Sequence, residues 1–124
     1  MAKIPLLVDT DVFIDYFNTG RFDSLFNSDR FTVYYSIITR KELLSKPGLS
    51  DAERNAIAAE LSRCRLIPLS DSITARYSDI RRRHPSLEKA DALIAATAVT
   101  RHLPLLTGNT RHFRAIVDLV LFKA

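Results

Sequence analysis

One stretch of the chain must be enclosed on nearly every side. Residues 89–99 read KADALIAATAV, and from Ala92 to Val99 the run has no polar face, so its helix is expected to be buried. Asp91 stands in this apolar run, where an ionised carboxylate is costly unless a cation or strong hydrogen bonds compensate it. Asp9 repeats the pattern by closing the apolar run IPLLV. Two acids at the ends of buried elements suggest a shared metal site.

The composition is that of one ordinary globular domain, predicted to span residues 1–124. Hydrophobic residues make up 47% of the chain, which is enough for a real core. Charged residues make up 26%, which is ordinary for a globular protein. No apolar run approaches the ~20 residues that a membrane span needs, so no membrane association is expected. The start of the chain has no signal-peptide pattern and Cys64 is the only cysteine, so a cytoplasmic location is expected.

Apolar, strand-like runs alternate with helical patterns along the chain. This alternation predicts an α/β fold with a central, mainly parallel sheet of about five strands and right-handed crossovers. The predicted strands are 4–9, 31–35, 65–69, 103–107 and 119–122, and the predicted helices are 11–18, 36–45, 50–64, 70–83, 87–102 and 110–116. The residues expected to begin helices are Asp11, Ser36, Ser50, Ser70 or Ser72, Ser86 and Thr110.

The polar residues that follow the strands are expected to meet at one edge of this sheet, because ligands of such folds collect at the carboxyl ends of the strands. Asp9 ends the first strand. Glu42 lies on the helix that leaves the second strand, within about 9 Å of that strand's end at ~1.5 Å per residue. Asp91 lies in the first turn of the helix that runs antiparallel to the fourth strand, so it returns to the same edge. Thr107 and Asn109 leave the fourth strand there.

Three clustered carboxylates have a specific chemical consequence. They repel one another unless they are protonated or bound to a metal. Oxygen ligands without cysteine or histidine select hard cations such as Mg²⁺ or Mn²⁺. One or two such ions activate a water and stabilise the leaving oxygen when a phosphodiester is hydrolysed. The carboxylates therefore predict metal-dependent phosphodiester chemistry.

Four segments, LLVDTDVFIDYF, SIITRKELL, KADALIAATA and LPLLTGNTRHF, resemble the successive motifs of PIN-domain nucleases, in the correct order and across nearly the whole chain. They most resemble the VapC-type toxins of bacterial toxin–antitoxin pairs. The resemblance implies a three-layer α/β/α fold and a Mg²⁺- or Mn²⁺-dependent endoribonuclease with Asp9, Glu42 and Asp91 as its metal-binding catalytic acids. It also implies a homodimer and an antitoxin protein whose tail blocks the acidic pocket.

The chain departs from this family's pattern after the fourth strand, where many members carry a fourth acid. The segment TGNTRHF has Asn109 and His112 where Asp or Glu often stands. We assign the catalytic position to Asn109, because an amide oxygen can still hold a metal-bound water or act as a weak ligand. The departure bears mainly on the affinity for a second metal ion.

Residues beside the acids have two interpretations each. Asp11 either caps the first helix or supports the metal site, through a water or directly. Thr10 and Thr107 either hydrogen-bond the carboxylates and the water or close turns.

Basic residues flank the predicted acid site, and the net charge of the chain is +4. This charge is compatible with a polyanionic partner but is weak evidence alone, since many basic proteins bind no nucleic acid. The arginine run at 81–83 is either the solvated end of a helix or a contact for the RNA backbone. The residues predicted to bind the RNA substrate are Arg40, Lys41, Lys46, Lys89 and Arg111.

Two other functions compete with the nuclease. VDTDV and LLTG fit the opening motifs of haloacid-dehalogenase-type phosphatases, in which Asp9 would be the phosphorylated nucleophile and Asp11 the general acid. That family needs a lysine and a further acidic pair after the second motif, and Asp118 is the only acid that follows here. The other alternative is an RNA-binding module whose catalytic site is degenerate, which Asn109 favours.

Overall fold

A computed structural model describes residues 2–123, so the end residues of the predicted 1–124 domain lie outside the described part. Four strands form one sheet in the order β3-β2-β1-β4. Each neighbouring pair is parallel. The strands are β1 (Ile4–Val8), β2 (Phe31–Ser36), β3 (Arg65–Ile67) and β4 (Leu105–Leu106). The predicted α/β class and parallel sheet are therefore confirmed.

The predicted fifth strand at 119–122 is wrong. That segment reaches the sheet through a single parallel bridge between Leu121 and Leu105. Asp118, just before it, has a left-handed backbone with φ of 69°, so the extended segment does not begin before Leu119. The strand that it would join, β4, has only two residues and offers little edge for pairing.

Seven helices flank this sheet in the described residues. Ser36, Ser50 and Ser70 begin three of them, and each side chain accepts a hydrogen bond from the backbone N–H three residues later, as expected of N-caps. None of the helices in residues 2–123 is long and apolar enough to cross a membrane. The helices are α1 (Thr10–Thr19), α2 (Asp23–Phe26), α3 (Ile37–Leu44), α4 (Asp51–Ser62), α5 (Asp71–Arg83), α6 (Lys89–Thr100) and α7 (Thr110–Phe113).

Two predicted helix starts are wrong. The N-cap of α1 is Asp9 rather than Asp11, which lies inside the first turn of the helix. The N-cap of α6 is Glu88 rather than Ser86. Ser86 falls instead in a turn that the N–H of Leu87 closes onto the carbonyl of His84. The later start of α6 still leaves Asp91 in its first turn.

The sheet has a hydrophobic core on each face. Alternate residues of β1 point to opposite sides, so Leu6 and Val8 join the core beneath α1–α4 while Leu7 joins the core beneath α5–α7. The helix α6 is buried as predicted, and only Leu93 of its residues 92–99 is partly exposed. Helices on both faces of one sheet make the three-layer arrangement that the motifs implied.

We expect Phe113→Ala to destabilise the protein by about 3–5 kcal/mol, because large-to-small changes in a core lose contacts and leave a cavity. Phe113 is 0% exposed and anchors the four-residue helix α7 to the core. The measurement is urea unfolding followed by circular dichroism. Val117→Ala, at a site that is 68% exposed, is the control and should change stability by less than about 0.5 kcal/mol. Similar losses in both variants would contradict this account of α7.

Candidate active site

Asp9 lies where β1 ends, against the end of the neighbouring strand β4. Its side chain is buried, with 4% of the residue exposed. One carboxylate oxygen, Oδ1, accepts the backbone N–H of Thr10 at 2.8 Å, and Oδ2 accepts the hydroxyl of Thr107 at 2.7 Å. Because Val8 pairs with Leu106 in parallel register, the residues that follow these two strands meet at the same edge.

The surroundings of Asp9 disfavour its negative charge. The pKa of Asp9 is raised from its ordinary 3.8 to about 7, mainly by burial and also by the charges of Asp11 and Asp91. The hydrogen bonds from Thr107 and Thr10 lower the pKa without offsetting the burial. A carboxylate in this position therefore gains from any nearby positive charge.

Glu42 joins this edge through the hydroxyl of Thr10. The helix α3 begins at the end of β2, and the Thr10 hydroxyl lies 2.8 Å from Glu42 Oε1 and 2.9 Å from the hydroxyl of Thr39. Thr10 has one hydroxyl hydrogen, and an ionised Glu42 can only accept, so Thr10 donates to Glu42 and receives the hydrogen of Thr39. Thr39 is 0% exposed, so this pair of threonines fixes the position of Glu42 Oε1 from inside the core.

Asp91 lies on the first turn of α6 and contacts α7. Its Oδ2 is 3.1 Å from Nδ1 of His112, and 18% of its side chain is exposed. Burial raises the pKa of Asp91, while the hydrogen bond with His112 lowers it. An ionised carboxylate can only accept, so the His112 tautomer with a proton on Nδ1 fits this contact.

Asn109 is the N-cap residue of α7, and its catalytic role stays a prediction. Its backbone N–H donates to the Thr107 hydroxyl at 3.0 Å, and the residue is exposed at the start of α7. His112, rather than Asn109, is the residue of this segment that contacts Asp91. The sequence analysis named both residues and assigned the catalytic position to Asn109, because the way α7 lies against α6 could not be read from the sequence.

Asp11 faces the loop that leaves β4. Its Oδ2 accepts the backbone N–H of Gly108 at 3.0 Å. Its other oxygen, Oδ1, is buried and has no hydrogen-bond partner among the described residues. Gly108 is needed for this approach, since a Cβ atom on it would lie 2.6 Å from Asp11 Oδ2.

The donor atoms at this edge suit a hard divalent cation. No three Asp, Glu, His or Cys side chains of residues 2–123 are close enough to form a complete ligand set as they stand. Mg²⁺, however, is usually bound through one or two carboxylates and several waters. The charge of Asp91 raises the pKa of Asp9, and the charge of Asp11 raises the pKa of both. The free Oδ1 of Asp11 is an unused acceptor. These residues therefore fit a Mg²⁺ or Mn²⁺ site.

Of the predicted substrate-binding residues, Arg111 lies with an acid of the site. It lines a cavity of about 400 Å³ together with Asp91 and His112. Lys46 lines a separate cavity of about 350 Å³ that includes Glu42.

The other three basic residues face a different surface. Arg40 and Lys41 line a hollow of about 300 Å³, and Lys89 lines another of about 270 Å³. Both hollows include Ile38 and Leu93 and are largely apolar. These hollows are lined by none of the three acids, and the substrate-binding role of the three basic residues stays a prediction.

A model of the PIN domain matches residues 6–119 of this chain. The chain belongs to the PIN domain family. The match includes VDTDV and LLTG, the two segments that had suggested a haloacid-dehalogenase-type phosphatase, so membership of the PIN family accounts for both.

Curated relatives are VapC proteins. Ribonuclease VapC10 of Mycobacterium tuberculosis is 32% identical over 122 residues, which cover 87% of this chain and 85% of that protein. Ribonuclease VapC1 of Methanocaldococcus jannaschii is 29% identical over 121 residues, which cover 94% of this chain and 84% of that protein. A solved toxin–antitoxin complex from Klebsiella pneumoniae contains a chain of the same fold, with a TM-score of 0.75, 27% identity and coverage of 96% and 99%. The VapC-type relationship inferred from the motifs is confirmed.

We expect Asp9→Asn to be more stable than the wild type in metal-free buffer, and increasingly so as pH rises. With its pKa raised from 3.8 to about 7, Asp9 contributes stability that is complete below pH 3.8 and lost as pH rises through 7. An asparagine does not titrate, so the difference in unfolding free energy should grow by about 2–4 kcal/mol between pH 4 and pH 8. The measurement is urea unfolding at both pH values in EDTA.

The control for this experiment is Asp29→Asn, which changes an exposed aspartate in the loop before β2. Its difference from wild type should stay constant over the same pH range. A constant or shrinking difference for Asp9→Asn would show that Asp9 is not strained by its burial.

Proposed function

We propose that this chain is a Mg²⁺- or Mn²⁺-dependent endoribonuclease, the toxin of a toxin–antitoxin pair. The observation that supports the proposal is that Asp9 and Glu42, from distant segments, are both tied to one edge of the sheet, where the charge of Asp91 also acts on Asp9. Thr107 links Asp9 to the loop after β4, and Thr10 links Glu42 to the residue next to Asp9. The chain belongs to the PIN family, and its relatives VapC1 and VapC10 are named ribonucleases.

In this proposal, Asp9, Glu42 and Asp91 hold the cation. When bound, Mg²⁺ or Mn²⁺ lowers the pKa of a water and stabilises the charge on the leaving oxygen of the phosphodiester. Thr107 and Thr10 orient the carboxylates by the hydrogen bonds described above. Oε1 of Glu42 is already occupied by Thr10, so its Oε2 is the oxygen available to the cation or to a water proton.

The RNA backbone would enter beside Asp91. Arg111 shares the cavity of about 400 Å³ with this acid and with His112, which suits a contact with a phosphate next to the scissile bond. The positive net charge favours approach of a polyanion. The roles of Arg40, Lys41 and Lys89 as substrate contacts remain predictions, since these residues line other hollows.

An antitoxin segment has a groove available beside Glu42. The cavity of about 350 Å³ between α1, α3 and α4 is lined by Ile14, Phe17 and Ile57 as well as by Glu42. Ile14 is 46% exposed, which leaves an apolar surface open to a partner. The similarity to the Klebsiella pneumoniae toxin–antitoxin complex supports a partner of this class. A bound segment with apolar side chains here would end next to the acids and block them.

The apolar hollows around Leu93 support the predicted homodimer. Ile37 is 37% exposed and Leu69 57% exposed on this surface, which is formed by α3, α6 and the start of α5. Exposed apolar patches of this kind are typical of protein–protein contacts. We infer that a second copy of the chain covers it.

The dimer prediction is tested by Leu69→Glu, with Ile37→Glu as an independent variant. Each places a charge in the proposed contact and should convert a dimer into a monomer in sedimentation velocity experiments. Val117→Glu, on a residue that is 68% exposed and lines neither hollow, is the control and should remain dimeric. A monomeric wild type at micromolar concentration would rule out this interface.

A degenerate RNA-binding module remains the alternative, because Asn109 and His112 replace the acid expected after β4. The two functions differ in turnover. A binding module would retain RNA without cutting it at any metal concentration.

We expect purified wild-type protein to cut total cellular RNA into discrete fragments with Mg²⁺ or Mn²⁺, and EDTA to abolish the cutting. Asp91→Asn should slow cleavage by at least about a hundredfold, since a bound metal supplies several kcal/mol of transition-state stabilisation. The measurement is fragment formation over time on denaturing gels. Asp29→Asn is the matched carboxylate control and should cut like the wild type.

The outcomes separate the candidate functions. RNA bound but uncut by a folded, metal-loaded wild type would favour the binding module. Equal cutting by wild type and Asp91→Asn would indicate a contaminating nuclease or a site elsewhere.

A further inference from the structure

Asp11 has a carboxylate oxygen whose burial nothing in the fold explains. Its Oδ2 accepts the N–H of Gly108, whereas Oδ1 is buried without a partner among residues 2–123. Leaving a buried carboxylate oxygen unpaired is unfavourable, and native structures usually satisfy such an atom with a water or an ion. Helix capping does not account for Asp11, because Asp9 occupies the N-cap of α1.

Asp11 lies near two acids of the proposed site. The charge of Asp11 acts on both Asp9 and Asp91, so the three carboxylates face a common region. The loop after β4, from Thr107 to Thr110, supplies no acid of its own. It supplies instead the backbone N–H of Gly108, which anchors Asp11 by one oxygen and leaves the other unpaired.

We infer that Asp11 is a direct ligand of the divalent cation through Oδ1, held in position by the N–H of Gly108. This inference rests on the proposed metal-dependent function. It also gives Gly108 a specific role, since a Cβ atom at that position would lie 2.6 Å from Asp11 Oδ2 and displace the carboxylate.

The main test is Mn²⁺ binding by calorimetry to wild type, Asp11→Asn, Asp15→Asn and Asp91→Asn. Asparagine keeps an oxygen that can accept the N–H of Gly108 but removes the charge, so a role limited to holding the loop would survive. We expect Asp11→Asn to weaken Mn²⁺ binding by at least about tenfold, the loss typical of disturbing a metal site. Its melting temperature in EDTA should not fall below that of the wild type. Asp15, one turn further along α1 and paired with Arg21 at the surface, is the matched control and should bind Mn²⁺ normally.

A second variant, Gly108→Ala, changes no charge. The added methyl group should displace Asp11 and weaken Mn²⁺ binding without preventing folding, which circular dichroism would check. If this variant does not fold, the result for Asp11→Asn still decides the matter.

Each remaining outcome has a distinct meaning. Normal Mn²⁺ affinity in Asp11→Asn together with loss in Asp91→Asn would overturn the role of Asp11 and leave the proposed function standing. A lower melting temperature of Asp11→Asn in EDTA with unchanged Mn²⁺ affinity would show a purely structural role. If neither the wild type nor Asp91→Asn bound Mn²⁺, the metal-dependent function itself would fail, and this inference with it.

Discussion

The hydrogen bond from Thr107 to Asp9 joins residues that are 98 positions apart in the sequence, and the arrangement of the site depends on it. It forms because β1 and β4 are adjacent and parallel, so both strands end at the same edge of the sheet. The same hydroxyl accepts the N–H of Asn109, which fixes the loop that carries Gly108 and leads into α7. Thr107 thus connects the buried Asp9 with the segment that follows β4. That segment carries Gly108, the partner of Asp11, and His112, the partner of Asp91.

The burial of α6 and the polar edge of the parallel sheet could be predicted from periodic patterns in the sequence. An apolar run without a polar face predicted that α6 is buried, and alternation of strands and helices predicted a parallel sheet with a polar edge. From those two features alone, Asp9, Glu42 and Asp91 could be assigned to a single edge. Asp9 directly follows a strand and Asp91 lies in the first turn of a helix, where the direction of the chain is fixed. Glu42 lies further along α3, but that helix leaves the same edge at the end of β2.

The features that the sequence did not predict depend on single backbone conformations and on tertiary contacts. The expected fifth strand forms only one bridge with β4, which has two residues. The first helix begins one residue earlier than expected, so Asp9 becomes the cap and Asp11 turns towards the β4 loop. The contact between His112 and Asp91 depends on the orientation of a four-residue helix, which no periodic signal encodes.

The electrostatics of the site work against the stability of the metal-free chain. Burial raises the pKa of Asp9 to about 7 and also raises that of Asp91, so ionised acids at this edge oppose folding near neutral pH. The surrounding structure can hold them there because fully buried side chains on both faces of the sheet, such as Phe13 and Phe113, fix the strand ends independently of the acids. A ligand that binds only the folded chain and neutralises these charges stabilises it by mass action. Function and stability should therefore be coupled through the cation, with the same carboxylates weakening the metal-free fold and binding the ion.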